Sequence, residues 1–134
     1  MQVSVSKQVS VFMENQPGKL ARILKVLRRS GVGIRALSIA EAGDFGIIRM
    51  IVDKADEASA TLRNAGYIVS VTEVLVMEVG EMSELYSVAR KLGEAGINIE
   101  YAYSYSEPSS GVKTKLVLRV REPKAAVEAI SGSV

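Results

Sequence analysis

The chain has 134 residues, of which 48% are hydrophobic and 24% are charged. This length and composition are typical of one ordinary globular domain or of two small ones. The absence of Cys and His excludes disulfides, thiolate nucleophiles, His-bound metals and a Ser–His–Asp triad. The 17 basic and 15 acidic side chains nearly balance, so charge gives no reason to expect nucleic acid or membrane as a partner.

The N-terminal segment lacks the basic and apolar regions of a signal peptide. No apolar run approaches the ~18 residues that a membrane-spanning helix needs. We therefore expect a cytoplasmic protein.

The first half of the chain predicts the order strand, helix, strand, strand, helix, strand. The predicted strands are Gln8–Glu14, Gly33–Ala42, Phe45–Val52 and Tyr67–Val79. The first helix follows the break at residues 15–18 and ends at Gly31, and its apolar residues recur at i, i+3, i+4 and i+7. The second helix ends at Gly66, and Asp53 is its predicted N-cap.

The second half repeats this order. A helix is predicted over Met82–Ala95, followed by strands over Ile97–Ser106 and Lys113–Val120 that are joined by a turn at residues 107–111. A short helix starts at Pro123, a residue that suits the first turn. Met77 and Met82 are expected to fill gaps in the core.

Overlaying the halves shows an internal repeat with an offset of 65 residues, which becomes 68 after the longer second hairpin. We assign residues 1–73 to the first repeat and 74–134 to the second. Because Val134 corresponds to Gly66, we expect the second repeat to be one strand short within this sequence. A partner chain, the segment Gln2–Ser6 or a longer natural chain are the alternatives for supplying it.

Four segments carry a family resemblance: residues 11–20, 33–40, 44–53 and 96–103. In these segments the sequence resembles small stand-alone proteins made of two ACT repeats. The resemblance implies an α+β fold with two ferredoxin-like βαββαβ repeats, antiparallel sheets and helices on one face. It also implies a regulatory protein that binds an amino acid or a related small metabolite, without a cofactor.

The resemblance places the ligand between the loop before the first helix and the second strand of a neighbouring ACT unit. The predicted ligand-binding residues are Asn15, Gln16, Pro17, Gly18, Lys19, Leu20, Asn98 and Ile99. A helix N-terminus offers free N–H groups to a carboxylate, and Gly18 permits close approach. The Asn15 amide can both donate and accept, and Lys19 either assists the carboxylate or is solvated.

Each half of the sequence contains only some of the residues that the predicted site needs. The first half has Asn15 and the Pro17-Gly18 turn but carries Gly33 at the strand position, whereas the second half has Asn98 there and no Pro-Gly turn. We therefore predict one hybrid site per chain, made from the first loop and Asn98. The alternatives are that Asn15 serves only the turn and that Asn98 is only a helix-exit residue.

Three rival functions make different demands on the sequence. An acylphosphatase-like enzyme needs an Arg in the first loop, and residues 15–20 contain none, so we expect no enzyme. An RNA-recognition module needs aromatic residues on its central strands, which are sparse here. The third rival is a ligand-independent ACT interaction module. The preferred interpretation is an amino-acid sensor that forms a homodimer and regulates a metabolic enzyme or regulator in trans.

Overall fold

The computed structural model describes residues 2–106 and 114–132. These residues form six strands and four helices: β1 (Val3–Glu14), α1 (Lys19–Arg29), β2 (Ile34–Ala42), β3 (Phe45–Val52), α2 (Ala55–Asn64), β4 (Ile68–Val79), α3 (Met82–Glu94), β5 (Ile99–Ser106), β6 (Thr114–Val120) and α4 (Pro123–Ser131). The predicted order of elements and the α+β class are confirmed. The predicted turn at residues 107–111 and the predicted strand residue Lys113 lie outside the described residues, as does Val134.

The chain divides into two compact units. We call Lys7–Thr72 the N unit, and we call residues 2–6 together with the described residues from Glu73 onward the C unit. Strands β1 and β4 each contribute one part to each unit.

The N unit contains a four-stranded sheet with the order β2-β3-β1-β4. Strands β1 and β2 both pair with β3 in antiparallel orientation. Helices α1 and α2 cover one face of this sheet. Because successive side chains of a strand point to opposite faces, every second strand residue points toward these helices. The core on that face contains Val9, Val11, Ile23, Leu27, Val32, Ile48, Met50, Val52, Ala58, Leu62 and Val69.

The C unit has the corresponding order β5-β6-β4-β1. Strand β6 pairs with β4 and with β5, again in antiparallel orientation. Helices α3 and α4 complete its core, which contains Leu75, Met77, Val88, Leu92, Leu118, Val120, Ala126 and Ile130. Met77 is buried as predicted.

The start of β1 supplies the fourth strand of the C unit. The Ser4 hydroxyl donates a hydrogen bond to the carbonyl oxygen of Val76 over 3.4 Å, and Val3 packs against the core of the C unit. The N-terminal segment, which is one of the three sequence alternatives for the last strand, therefore contacts the C unit. The same strand then continues as a central strand of the N unit.

The repeat is visible in local geometry as well as in element order. Gly31 and Gly96 end α1 and α3 with the same φ of +72°, a conformation that glycine adopts without strain. The pairing of the next strand is then interrupted at Ile34/Ala36 in the N unit and at Ile99/Tyr101 in the C unit. The matching irregularities give residues 33 and 98 equivalent places in their units.

Two predictions from the sequence are wrong. The N-cap of α2 is Lys54, and the Asp53 carboxylate instead accepts the backbone N–H of Gly33 at 2.9 Å. Met82 is not a core residue, because 77% of it is exposed in the first turn of α3. Both predictions used local position in the sequence. Local position does not show which residues surround a side chain in the folded protein.

None of the helices in the described residues is long and apolar enough to span a membrane.

Replacing Val3 tests the role of the N-terminal segment. We expect Val3→Asp to lower the free energy of unfolding by ~1 kcal/mol more than Val5→Asp, because it also places a charge against the C-unit core. Val5 is the matched control, since it is 40% exposed and its substitution changes strand propensity in the same way. Urea unfolding followed by circular dichroism measures both. Equal losses would contradict the assignment of residues 3–6 to that core.

Candidate functional site

The loop between β1 and α1 is tied to the β2-β3 hairpin. The backbone N–H of Asn15 donates to the carbonyl oxygen of Asp44 at 2.8 Å, and its side-chain Nδ2 donates to Glu41 Oε1 at 3.2 Å. One N–H of the Asn15 amide is engaged by this carboxylate, and the amide oxygen is directed by that contact as an acceptor. That oxygen is suited to accept a hydrogen bond from an ammonium group.

Helix α1 begins without any side-chain cap. Its N-cap is Gly18, whose φ of +86° is the left-handed region that favours glycine. The N–H of Lys19 donates to Gln16 O at 3.3 Å, and the first turn of the helix contains no acidic residue. The next N–H groups of this turn are therefore available to water or to an anionic ligand.

A pocket of about 300 Å³ lies beside this loop. It is lined by Glu14, Asn15, Gln16, Asp44 and Phe45. Phe45 is 62% exposed, so an apolar surface stands next to the polar groups of the loop. Of the predicted loop residues, the pocket brings together Asn15 and Gln16. Phe45 lines this pocket although it is not one of the predicted ligand-binding residues.

The other four predicted loop residues have different surroundings. Pro17 and Gly18 are exposed in the turn, and Lys19 is half-buried at the start of α1. Leu20 packs against the N-unit core. Leu20 belongs to the apolar face of α1, so packing against the core accounts for its partial burial.

At the corresponding helix start in the C unit, an acidic side chain accepts hydrogen bonds from the backbone. Glu84 Oε1 accepts the backbone N–H of Gly80 at 2.9 Å and that of Glu81 at 3.1 Å. A ligand carboxylate at this position would meet the negative charge of Glu84. The start of α3 is therefore less suited to an anionic ligand than the start of α1.

Asn98 and Ile99 lie at the start of β5 in the C unit. Asn98 is exposed and lines a pocket of about 390 Å³, whereas Ile99 packs against the C-unit core. The other lining residues are Gly96, Ile97, Glu100, Arg121 and Glu122. Asn98 and the Asn15 loop thus belong to different units, and their union in one site stays a prediction.

An architecture of two matching units is also found in a known protein family. A family model described as an ACT domain pair matches residues 3–132. The chain belongs to the ACT domain pair family. ACT domains are regulatory modules, so membership supports a small-molecule-sensing regulatory role for this ACT pair.

Solved structures show the same architecture. A protein from Bacteroides thetaiotaomicron has 31% sequence identity and a TM-score of 0.86, covering 97% of this chain and 89% of that one. The ligand-free regulatory subunit of aspartate kinase from Thermus thermophilus has 16% identity and a TM-score of 0.68, with coverage of 98% and 97%. The corresponding subunit from Thermus flavus has 16% identity and a TM-score of 0.62, with coverage of 98% and 96%.

At 16% identity the two Thermus subunits show a shared fold. No curated protein sequence matches the chain significantly.

The closure of the α3 start by Glu84 has a measurable consequence. We expect Glu84→Ala to lower the free energy of unfolding by about 1 kcal/mol, because two N–H groups lose their charged acceptor. Glu94→Ala is the matched control, because Glu94 forms an exposed ion pair with Arg90 at the other end of α3. Its loss is expected to stay within ~0.5 kcal/mol. Chemical denaturation measures both variants, and equal losses would contradict the capping role of Glu84.

Proposed function

We propose that this ACT pair is a sensor of a free amino acid and that its ligand binds at a hybrid site. The first repeat, residues 1–73, supplies the loop from Asn15 to Leu20. The second repeat, residues 74–134, supplies Asn98 and Ile99. The observation that carries the proposal is the contrast between the two helix starts, because α1 has no side-chain cap whereas Glu84 fills the start of α3.

The groups around the loop suit the two charges of an amino acid. The ligand carboxylate binds at the start of α1, where N–H groups and Lys19 favour negative charge. The ammonium group faces Asn15 and the neighbouring carboxylates of Glu14 and Asp44. Phe45 offers an apolar surface to the ligand side chain.

The signal of such a sensor passes to another protein. The proposed output is the regulation of a metabolic enzyme or regulator in trans, in the cytoplasm, by a homodimer of the ACT pair. Ligand binding can shift an equilibrium between two states only by as much as its affinities for those states differ. The partner is therefore expected to bind the liganded and the free forms with different affinities.

A thermal-shift screen against the twenty amino acids tests the sensor function. A ligand at a hundred times its dissociation constant stabilises the folded chain by about 2.7 kcal/mol. For a chain of this size we expect a rise in Tm of roughly 5–15 °C with one or a few amino acids. A flat response across the set would contradict the proposal that a free amino acid is sensed.

The hybrid site predicts that residues from both repeats affect affinity. We expect Asn15→Ala and Asn98→Ala each to raise Kd about tenfold or more, because each removes a hydrogen bond to a charged ligand group. Asn64→Ala, at the exposed end of α2, is the control and is expected to leave Kd unchanged. Isothermal titration with the amino acid found in the screen measures all three. Weaker binding in Asn15→Ala alone would contradict the hybrid arrangement.

An exposed apolar stripe favours a second candidate function. Met82, Leu85 and Tyr86 lie on one side of α3 and are 77%, 38% and 64% exposed. Met82 and Tyr86, at i and i+4, share a helix face, and Leu85 lies at its edge beside the face that α3 buries through Val88 and Leu92. Such a stripe is suited to protein association. The alternative function is therefore an ACT interaction module that associates without a small ligand.

Substitutions in this stripe test the second candidate. We expect Leu85→Glu and Tyr86→Glu each to weaken self-association or partner capture at least tenfold, because each buries a charge in the contact. Ser83→Glu adds the same charge to the first turn of α3 outside the stripe and serves as the control. Sedimentation velocity over a concentration series measures the association. Unchanged association in both stripe variants would rule out this surface.

A further inference from the structure

Strand β2 is an edge strand of the sheet, because β3 lies on one side of it and no strand of the described residues lies on the other. In the register with β3, Leu37 is opposite Met50 and Ile39 is opposite Ile48. Met50 and Ile48 belong to the core under the helices. Because directly opposed residues of antiparallel strands point to the same face, Leu37 and Ile39 lie on the helix-covered face as well. They are nonetheless 38% and 47% exposed, so the edge combines unpaired backbone groups with exposed apolar side chains.

Helix α1 is the helix nearer to this edge. It joins β1 to β2, which lie on either side of β3, whereas α2 joins β3 to β4, which lie on either side of β1. A helix that connects two strands in this way packs onto the sheet over the strand that it crosses. The sequence around α1 is strongly basic, since residues 15–40 contain six basic side chains and no acidic one. Five of the six are in α1, so the exposed apolar residues of β2 lie beside a basic helix.

The basic side chains of α1 are not neutralised within the described residues. Four of them are exposed and form no side-chain hydrogen bond or ion pair there: Arg22, Lys25, Arg28 and Arg29. The helix dipole accounts for Arg28 and Arg29, which lie in the last turn, but not for the other two. The whole chain has a formal charge of +2 and α1 alone has +5, so the rest of the chain sums to −3. A net positive charge is therefore concentrated on α1.

The C unit has neither feature at its equivalent edge, which is β5. The repeat offset of 65 residues places Ala102 and Ser104 at the positions of Leu37 and Ile39. Helix α3 carries two basic and two acidic side chains, and one of each forms an ion pair within the helix. The shared fold therefore requires neither an apolar edge nor a basic helix, and both features occur together in the N unit.

We propose that β2 and α1 together form a docking site for an extended, acidic segment of a partner protein. The segment adds a strand to the β2 edge, where main-chain hydrogen bonds give affinity and alternate side chains give specificity. On the helix-covered face, apolar side chains of the segment pack against Leu37 and Ile39, and the acidic side chains that flank them meet the cations of α1. The proposal deepens the proposed regulation in trans, on which it rests, by stating where the partner binds and which chemistry it carries.

Two other occupants match the surface less well. Two-fold pairing of β2 with β2 of a second copy places two α1 helices next to each other, and each brings five basic side chains and no acidic one. Such a contact gathers like charges, which is unfavourable. A nucleic acid would use the cations of α1 but neither the exposed apolar pair nor the unpaired strand edge. An acidic protein segment uses all three features.

A synthetic peptide of nine residues, as long as β2, tests the site. Its odd positions are Thr and its even positions are Glu, Val, Val and Glu, so it reads the same in both directions. Fluorescence anisotropy of the labelled peptide measures Kd, and ¹⁵N-edited NMR of the full chain locates the contact. We expect the peptide to shift the amide signals of residues 34–41 and to bind at least tenfold more tightly than the same peptide with Lys in place of Glu. N-methylation of two adjacent central residues removes N–H donors but keeps the charge, and it is expected to weaken binding at least tenfold as well.

A variant of the strand edge tests its apolar part. We expect Leu37→Glu to raise the Kd of the peptide at least tenfold, because it replaces an apolar contact by a charge of the same sign as the peptide. Ala102→Glu adds the same charge at the equivalent position of β5 and is expected to leave Kd unchanged. Circular dichroism confirms that each variant folds.

A double variant tests the basic part. We expect Arg22→Gln combined with Arg28→Gln to raise Kd at least tenfold at low salt and less at high salt, because ions screen the contact. Arg90→Gln combined with Lys124→Gln removes the same charge from the C unit and is the control, with Kd unchanged.

The outcomes distinguish this proposal from its rivals and from the sensor function. Equal affinity of the parent peptide and either modified peptide would overturn the proposal, and so would the absence of binding by every peptide. Self-association that Leu37→Glu weakens and Ala102→Glu does not, measured by sedimentation velocity, would assign the edge to a second copy instead. Displacement of the peptide by an equal concentration of single-stranded DNA would assign the surface to nucleic acid instead. The amino-acid screen is independent of these results, since a flat thermal response contradicts the sensor and leaves peptide binding unchanged.

Discussion

The structure depends on the division of one strand between two units. Residues 3–6 of β1 form the edge strand of the C unit, and residues 7–14 form a central strand of the N unit. An exposed sheet edge invites pairing with other chains. The C-unit sheet is completed on that side by a segment that precedes the N unit in the sequence. The stability of the second repeat is thus linked to residues that belong, by sequence order, to the first.

Two similar units need not carry two similar sites. The helix starts after β1 and β4 have the same place in their units, yet only the second has an acidic side chain that turns back onto its N–H groups. A carboxylate at this position satisfies the backbone donors and also repels an anionic ligand. A single residue, Glu84, is therefore enough to give the two starts different chemistry without a change of fold.

The two units also differ at the residues before β2 and β5, which are Gly33 and Asn98. Here the N unit is closed by an internal hydrogen bond from Gly33 to Asp53, whereas Asn98 of the C unit is exposed and lines a pocket. Each unit thus keeps open the kind of position that the other has closed.

The sequence by itself determined the order of the elements, the apolar helix faces, the repeat and the family resemblance. These features depend on periodicity and on residues within a few positions of each other. Only the tertiary structure decided that residues 3–6 contact the C unit, that Asp53 accepts the N–H of Gly33 and that Arg121 and Asn98 line one pocket. These meetings depend on strand register and on the irregularity at the start of β2 and β5, which bring together residues 20 or more positions apart.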